Sequence, residues 1–275
     1  MSTALEELSA PKPSPLFLRY FREDQYCDVR NTFSRLSGKN NFGPDSMPEY
    51  LTIYYRYNSA ENKPGDVCDA DPYAEAILYQ WETEDGFWKA ELVMCPYAFE
   101  PPSPESLQSV LDSKCESIKD RATYDMTAPG GAILHELLHW KEVTEGQGGF
   151  YVGDWNELPL FAPDPKASPV HGYGAWSASE LNRVNGKGRE NADSYSWYAL
   201  EAFFTKNCKK EFSAPREEDF DPNRHPAGGD DRGEPKRMAQ SSVGTGCSTH
   251  WRRSETSSYV LSIGELPISD ISPYT

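Results

Sequence analysis

Apolar residues in the first part of the chain recur at helical spacing. Leu18, Phe21, Val29, Phe33 and Leu36 keep intervals of three and four if the polar Gln25 fills the gap, which predicts a helix over 18–36. The period then changes. Leu51-Thr52-Ile53-Tyr54-Tyr55 reads as a strand, and the β-rich segments 74–81 and 87–97 flank Glu82-Thr83-Glu84-Asp85-Gly86, whose Asp-Gly pair signals a hairpin. Ser103-Pro104-Glu105 opens a helix with Leu107, Val110, Leu111 and Ile118 on one face. A further helix follows the Pro129-Gly130-Gly131 break and runs over 132–143. Ser177-Ala178-Ser179-Glu180 has the form of a capping box for a short helix. An aromatic-rich helix over 190–207, begun by Asn191 or Asp193, closes the patterned part of the chain.

The flanks lack such pattern. Residues 1–16 are rich in Pro and Ser and read as a flexible arm; 146–166 reads as an irregular loop. Past Cys208 the composition shifts to Pro, Gly, Asp, Glu and Arg with few apolar anchors, which predicts an extended segment over 212–246. Tyr259-Val260-Leu261-Ser262-Ile263 is a candidate late strand, and Cys247 a candidate staple to Cys208. The expectation is an α+β fold in three parts. An arm at 1–16 precedes a domain at 17–211 with a small N-terminal β-sheet and two principal helices, and a tail at 212–275 packs partly on that domain.

Composition narrows the functional classes. With 27 Lys and Arg against 43 Asp and Glu, the chain carries a formal charge of −16, which argues against nucleic acid as partner. No apolar run reaches the ~20 residues that cross a bilayer, and no basic amphipathic stretch suggests binding to a membrane surface. The six cysteines form no CxxC pair, so a cysteine metal site is not indicated; an even number spread along the chain fits three disulfides and an oxidising compartment. The N-terminal residues Met1-Ser2-Thr3-Ala4-Leu5-Glu6-Glu7 hold no apolar stretch of a signal peptide; the cysteine parity makes a secreted mature form the expectation, with a cytoplasmic protein bearing free thiols as the alternative.

The candidate chemistry lies at His135-Glu136-Leu137-Leu138-His139. Two histidines four apart share one face of a helix and can hold a single zinc ion, and a carboxylate beside the first is placed to act as general base on a water. Two of the chain's five histidines stand in this one motif. Zinc in catalytic sites usually takes a third protein ligand, for which Asp154, Asp164 and His171 are the local candidates. Asp193 has two readings: a helix-start carboxylate that caps backbone amides, or an acceptor for the ring N–H of a ligand histidine.

With these residues in view the chain resembles the deuterolysin-type, or aspzincin, metallopeptidases of fungi, in particular a divergent branch related to lysine-specific metalloendopeptidases. The resemblance rests on Ile133-Leu134-His135-Glu136-Leu137-Leu138-His139-Trp140, then Tyr173-Gly174, then Asn191-Ala192-Asp193-Ser194-Tyr195 with Trp197-Tyr198-Ala199. It covers about residues 125–208. It implies a zincin fold, an aspartate as third ligand and endopeptidase activity. The family's Gly-Thr-x-Asp-x-x-Tyr-Gly is not intact: aligned on Tyr173-Gly174, Val170 stands where the aspartate belongs, with His171 beside it. In the divergent branch the aspartate stands further before Tyr-Gly, which makes Asp154 the choice and His171 the reserve. Tyr173 corresponds to a tyrosine that donates to the transition-state oxyanion.

The expected function is zinc-dependent hydrolysis of peptide bonds by a monomer, with His135, His139 and Asp154 as ligands and Glu136 as base. An edge strand of the 74–97 hairpin would align the peptide by strand addition. Two rivals are a zinc-scavenging protein without turnover and a metallohydrolase that tailors a small metabolite or cyclic peptide. The first has no use for Glu136.

Overall fold

A computed structural model of the chain describes residues 1–37, 50–55, 76–84, 86, 88–95, 115–116, 118–144, 152 and 172–219. Helices α1 (Ser2–Glu7), α2 (Pro15–Tyr20) and α3 (Tyr26–Leu36) come first, followed by strands β1 (Leu51–Tyr55), β2 (Ala76–Glu82) and β3 (Trp88–Met94). The second half holds α4 (Pro129–His139), α5 (Lys141–Thr144), α6 (Ala175–Asn185) and α7 (Ala192–Cys208). The fold is therefore mixed α+β, with a small sheet and several helices, as the pattern predicts.

Helix α7 is the centre of the described residues. Every residue from Ala192 to Ala202 is buried, so it has no polar stripe and must be covered on all sides. Helices α1, α2, α4 and α6 supply that cover. Behind α7, Phe17, Phe21 and Phe33 meet Tyr195 and Tyr198 with ring centroids 5.0–5.9 Å apart, mostly edge to face.

That packing corrects the reading of residues 1–16 as a flexible arm. Ala4 and Leu8 are fully buried, and α1 lies against α7. The Pro- and Ser-rich composition concealed a helix start: the Ser14 hydroxyl accepts from the Phe17 N–H at 3.0 Å, and Pro15 occupies the first helical position. The expected helix over 18–36 divides at Phe21, where a single turn, Glu23–Gln25, leads into α3. Gln25 fills the gap by bonding rather than by packing. It accepts from the Arg22 N–H at 3.0 Å and donates to the Gly186 carbonyl at 2.7 Å. Nearby, Gly188 touches the end of α2 so closely that a Cβ there would stand 1.9 Å from the Tyr20 carbonyl oxygen.

The sheet has the order β1-β3-β2. β2 and β3 form the expected antiparallel hairpin, in register from Ala76–Met94 to Glu82–Trp88, while β1 runs parallel to β3. Among the described residues β2 is thus an edge strand, and it lies against α4.

Three further expectations change. The motif helix ends at His139 instead of running to 143, because Trp140 turns to an extended ψ of 115° and buries its ring, with its indole N–H donating to the Trp88 carbonyl at 2.8 Å. The capping box at Ser177–Glu180 is not used: α6 starts at Ala175 behind Gly174, Ser177 lies inside the helix, and Glu180 pairs with Arg183. Cys208 pairs with Cys115, 5.3 Å away between Cα atoms, and not with Cys247.

All four described cysteines are disulfide-bonded. Of the tail, Phe212 is buried and Ser213 lies against Arg121, whose guanidinium holds Glu218 and Asp219. Most of the helix expected after Ser103 and all of the 146–166 loop but Val152 lie outside the described residues, as do Cys247 and the 259–263 strand; where the former is described, at 115–116 and 118, the chain turns and is not helical. No described helix is long and apolar enough to cross a membrane.

Candidate metal centre

Helix α4 carries the motif because Pro129 sets its first turn and Leu134, Leu137 and Leu138 bury it toward the core. His135, Glu136 and His139 project from it half-buried. One ligand atom from each lies within 4.8 Å of the others, so the three form a group that could hold a metal ion.

The histidines are oriented by what their Nδ1 atoms meet. His135 Nδ1 lies 2.6 Å from Asp193 Oδ1, and His139 Nδ1 lies 3.1 Å from the Val152 carbonyl oxygen. Both partners are acceptors, so each neutral ring carries its proton on Nδ1 and presents a lone pair at Nε2. The two Nε2 atoms face each other 3.2 Å apart. Two lone pairs at that distance repel unless a cation stands between them. Two nitrogens about 2.0–2.1 Å from one tetrahedral zinc stand roughly 3.3 Å apart, so the donor set fits such an ion.

Asp193, for which the sequence allows two roles, takes the histidine. It sits in the first turn of α7, where no side chain caps the helix. One of its oxygens meets His135 Nδ1, and the other accepts the Gly174 N–H at 2.5 Å.

Tyr173 is brought to the site. Its ring stacks on that of His135 at 5.8 Å between centroids and 18° between planes. Gly174 follows with φ of +85°, a left-handed conformation that a side chain would strain, and this turn starts α6. Asn191 donates to the Gly172 carbonyl at 2.9 Å on the other side of Tyr173. Asp154, with Asp164 and His171, lies outside the described residues.

Two features of the site were not read from the sequence. Val152 contributes through a backbone carbonyl, which residue identity cannot signal. Gln80 carried a signal: it occupies a core-facing position on β2, in line with Ala76 and Leu78, where the alternation calls for an apolar residue. Its side chain donates to the His139 carbonyl at 2.9 Å and accepts from the Lys141 N–H at 2.9 Å. It thereby ties the sheet to the break that ends the motif helix.

Compared with family models, curated proteins and solved structures, the chain shows no match in any of the three.

Proposed function

We propose that the chain is a zinc-dependent endopeptidase with a zincin-like fold. The observation that supports this most is the pair of Nε2 atoms facing each other at 3.2 Å, their Nδ1 atoms held by Asp193 and Val152, with Glu136 beside them. Neutral imidazoles turned this way suit zinc, and the resemblance to aspzincin peptidases makes peptide the substrate. Asp154 is the proposed third protein ligand. A zinc ion held by these residues would supply Lewis acidity to the attacking water and the scissile carbonyl.

The protein's own groups carry the proton steps. Glu136 takes a proton from the water as it attacks the scissile carbonyl carbon, then delivers it to the leaving amine nitrogen as the C–N bond breaks. Asp193 keeps the His135 proton on Nδ1, so that Nε2 stays a donor to the ion. Tyr173 donates its phenol hydrogen to the oxygen that gains charge. The outer edge of β2 can pair with an extended peptide through its backbone. The disulfides agree with a secreted protein.

The test is casein and peptide-library cleavage by zinc-loaded protein, with and without chelator. We expect cleavage that chelator abolishes and zinc restores. Glu136→Gln should lower kcat by roughly 10²–10⁴-fold while zinc content and Tm stay unchanged. Cleavage that persists in Glu136→Gln overturns the mechanism. One tightly bound zinc per chain with no cleavage of any peptide moves the assignment to zinc capture.

A further inference from the structure

We infer that Asn191 is a positioning residue which, with Asp193, fixes Tyr173 over the metal centre. The inference rests on the peptidase reading above and extends it to a residue with no role in that reading. Tyr173 lies between Gly172 and Gly174, and the first turn of α7 grips both neighbours. Asn191 donates to the carbonyl before the tyrosine, and Asp193 accepts the N–H after it.

Asn191 is buried, and its amide nitrogen has a second acceptor in the Ser194 hydroxyl at 3.1 Å, so the two acceptors fix which way the amide faces. Asp193 spends one oxygen on Gly174 and the other on His135, so a single carboxylate sets both the ligand ring and the backbone that carries Tyr173. A mobile phenol in this place loses the aim that oxyanion stabilisation requires, since donors act through their position at the transition state. The 18° stacking on His135 is the geometry this grip maintains.

A role in helix capping alone makes a different prediction. Asp caps a helix as well as Asn does, but it offers only oxygens to the Gly172 carbonyl. In zinc-loaded protein with a cleavable peptide, Asn191→Asp and Asn191→Ala should both lower kcat about 10- to 100-fold. KM should stay within about twofold and zinc affinity within about threefold. Combined with Tyr173→Phe, neither should add to the loss that Tyr173→Phe causes alone. Asp193→Asn, which leaves one oxygen for two donors, should in addition weaken zinc binding about 10- to 100-fold.

A readout independent of turnover is the 19F resonance of Tyr173 in protein labelled with 3-fluorotyrosine, assigned by its disappearance in Tyr173→Phe. The wild-type protein should show it displaced by the His135 ring, and Asn191→Ala should move it toward the position of a solvated tyrosine. An unmoved resonance in Asn191→Ala, or losses that add to those of Tyr173→Phe, overturns the inference. Wild-type protein that binds no zinc or cleaves no peptide overturns the peptidase reading instead, and the resonance still decides whether the grip exists.

Discussion

Helix α7 is shared by two regions built on different principles. At its first turn Asn191 and Asp193 enter a polar arrangement of histidines, backbone groups and Tyr173, held by directional bonds. Further along, Tyr195, Tyr198 and Glu201 face α1, α2 and α3 across an aromatic interior with one buried ionic group. Directional bonds set the positions of single atoms and contribute little net stability. Apolar burial does the reverse, yielding kilocalories with loose demands on angle. Substitutions behind α7 should therefore unfold the protein, and substitutions at its first turn should disarm it.

The largest effect expected of that contrast is at Phe21. It is fully buried, and its ring meets Phe17, Tyr195 and Tyr198 at 5.1, 5.0 and 5.7 Å. Phe21→Ala should cost about 3–5 kcal/mol in chemical denaturation, from lost transfer energy and the cavity left behind. Zinc affinity of the protein that remains folded should not change. A tenfold loss of zinc affinity at conditions where Phe21→Ala is fully folded breaks the contrast, because it couples the rear packing to the histidines.

The second effect concerns Glu201, whose carboxyl meets the Arg19 guanidinium and accepts from the Tyr20 hydroxyl at 2.9 Å. Burial pushes this carboxyl up to about 7, outweighing the Arg19 charge and the two hydrogen bonds. A carboxyl whose pKa is raised on folding binds its proton more tightly in the native state than in the unfolded chain. Its contribution to stability is complete below 4.5, declines as pH rises to about 7 and is level above that. The decline is at most about 3 kcal/mol. Urea titrations from pH 4 to 8 should show it, and Glu201→Gln should flatten it. A slope between pH 4.5 and 7 that is identical in both proteins assigns the effect to other groups.

The same contrast explains how far the sequence could be read. The motif, the hairpin and the long helix were legible because each is a local pattern: four-residue spacing of histidines, alternation about Asp85-Gly86, and aromatic density after Asn191. The spacing of Val29, Phe33 and Leu36 also showed α3, but helix α1 and the start of α2 were not legible. Their cover is α7, almost two hundred residues away, and the local composition around Pro11, Pro13 and Pro15 resembles a linker although Ser14 is a helix cap. Trp140 ends its helix for the same reason, since its partner is the carbonyl of Trp88 on a strand fifty-two residues earlier. The pairing of Cys208 with Cys115 likewise joins residues 93 positions apart in the chain. Within the site, His135, Glu136 and His139 could be picked out as a group able to hold a metal from residue type and spacing. The carbonyl of Val152 beside His139 and the amide of Asn191 beside Tyr173 have no such signature, and Gln80 shows only as a polar residue at a core-facing strand position.

Gln80 is where the two principles meet, and it gives the finest test. It lies on the core face of β2, yet it works by bonds: its amide satisfies the His139 carbonyl and the Lys141 N–H exposed by the break between α4 and α5. Water can replace part of this at a half-buried position, so Gln80→Ala should cost only about 1–2 kcal/mol. Gln80→Glu turns the donor into an acceptor opposite the His139 carbonyl and should cost more than the alanine. If β2 offers its edge to the peptide, loosening it from His139 shifts the bound peptide against the ion while leaving the ligands in place. The expected kinetic signature is a raised KM with zinc affinity unchanged. A tenfold loss of zinc affinity at constant KM assigns Gln80 to orienting His139 instead, and leaves peptide alignment to another part of the chain.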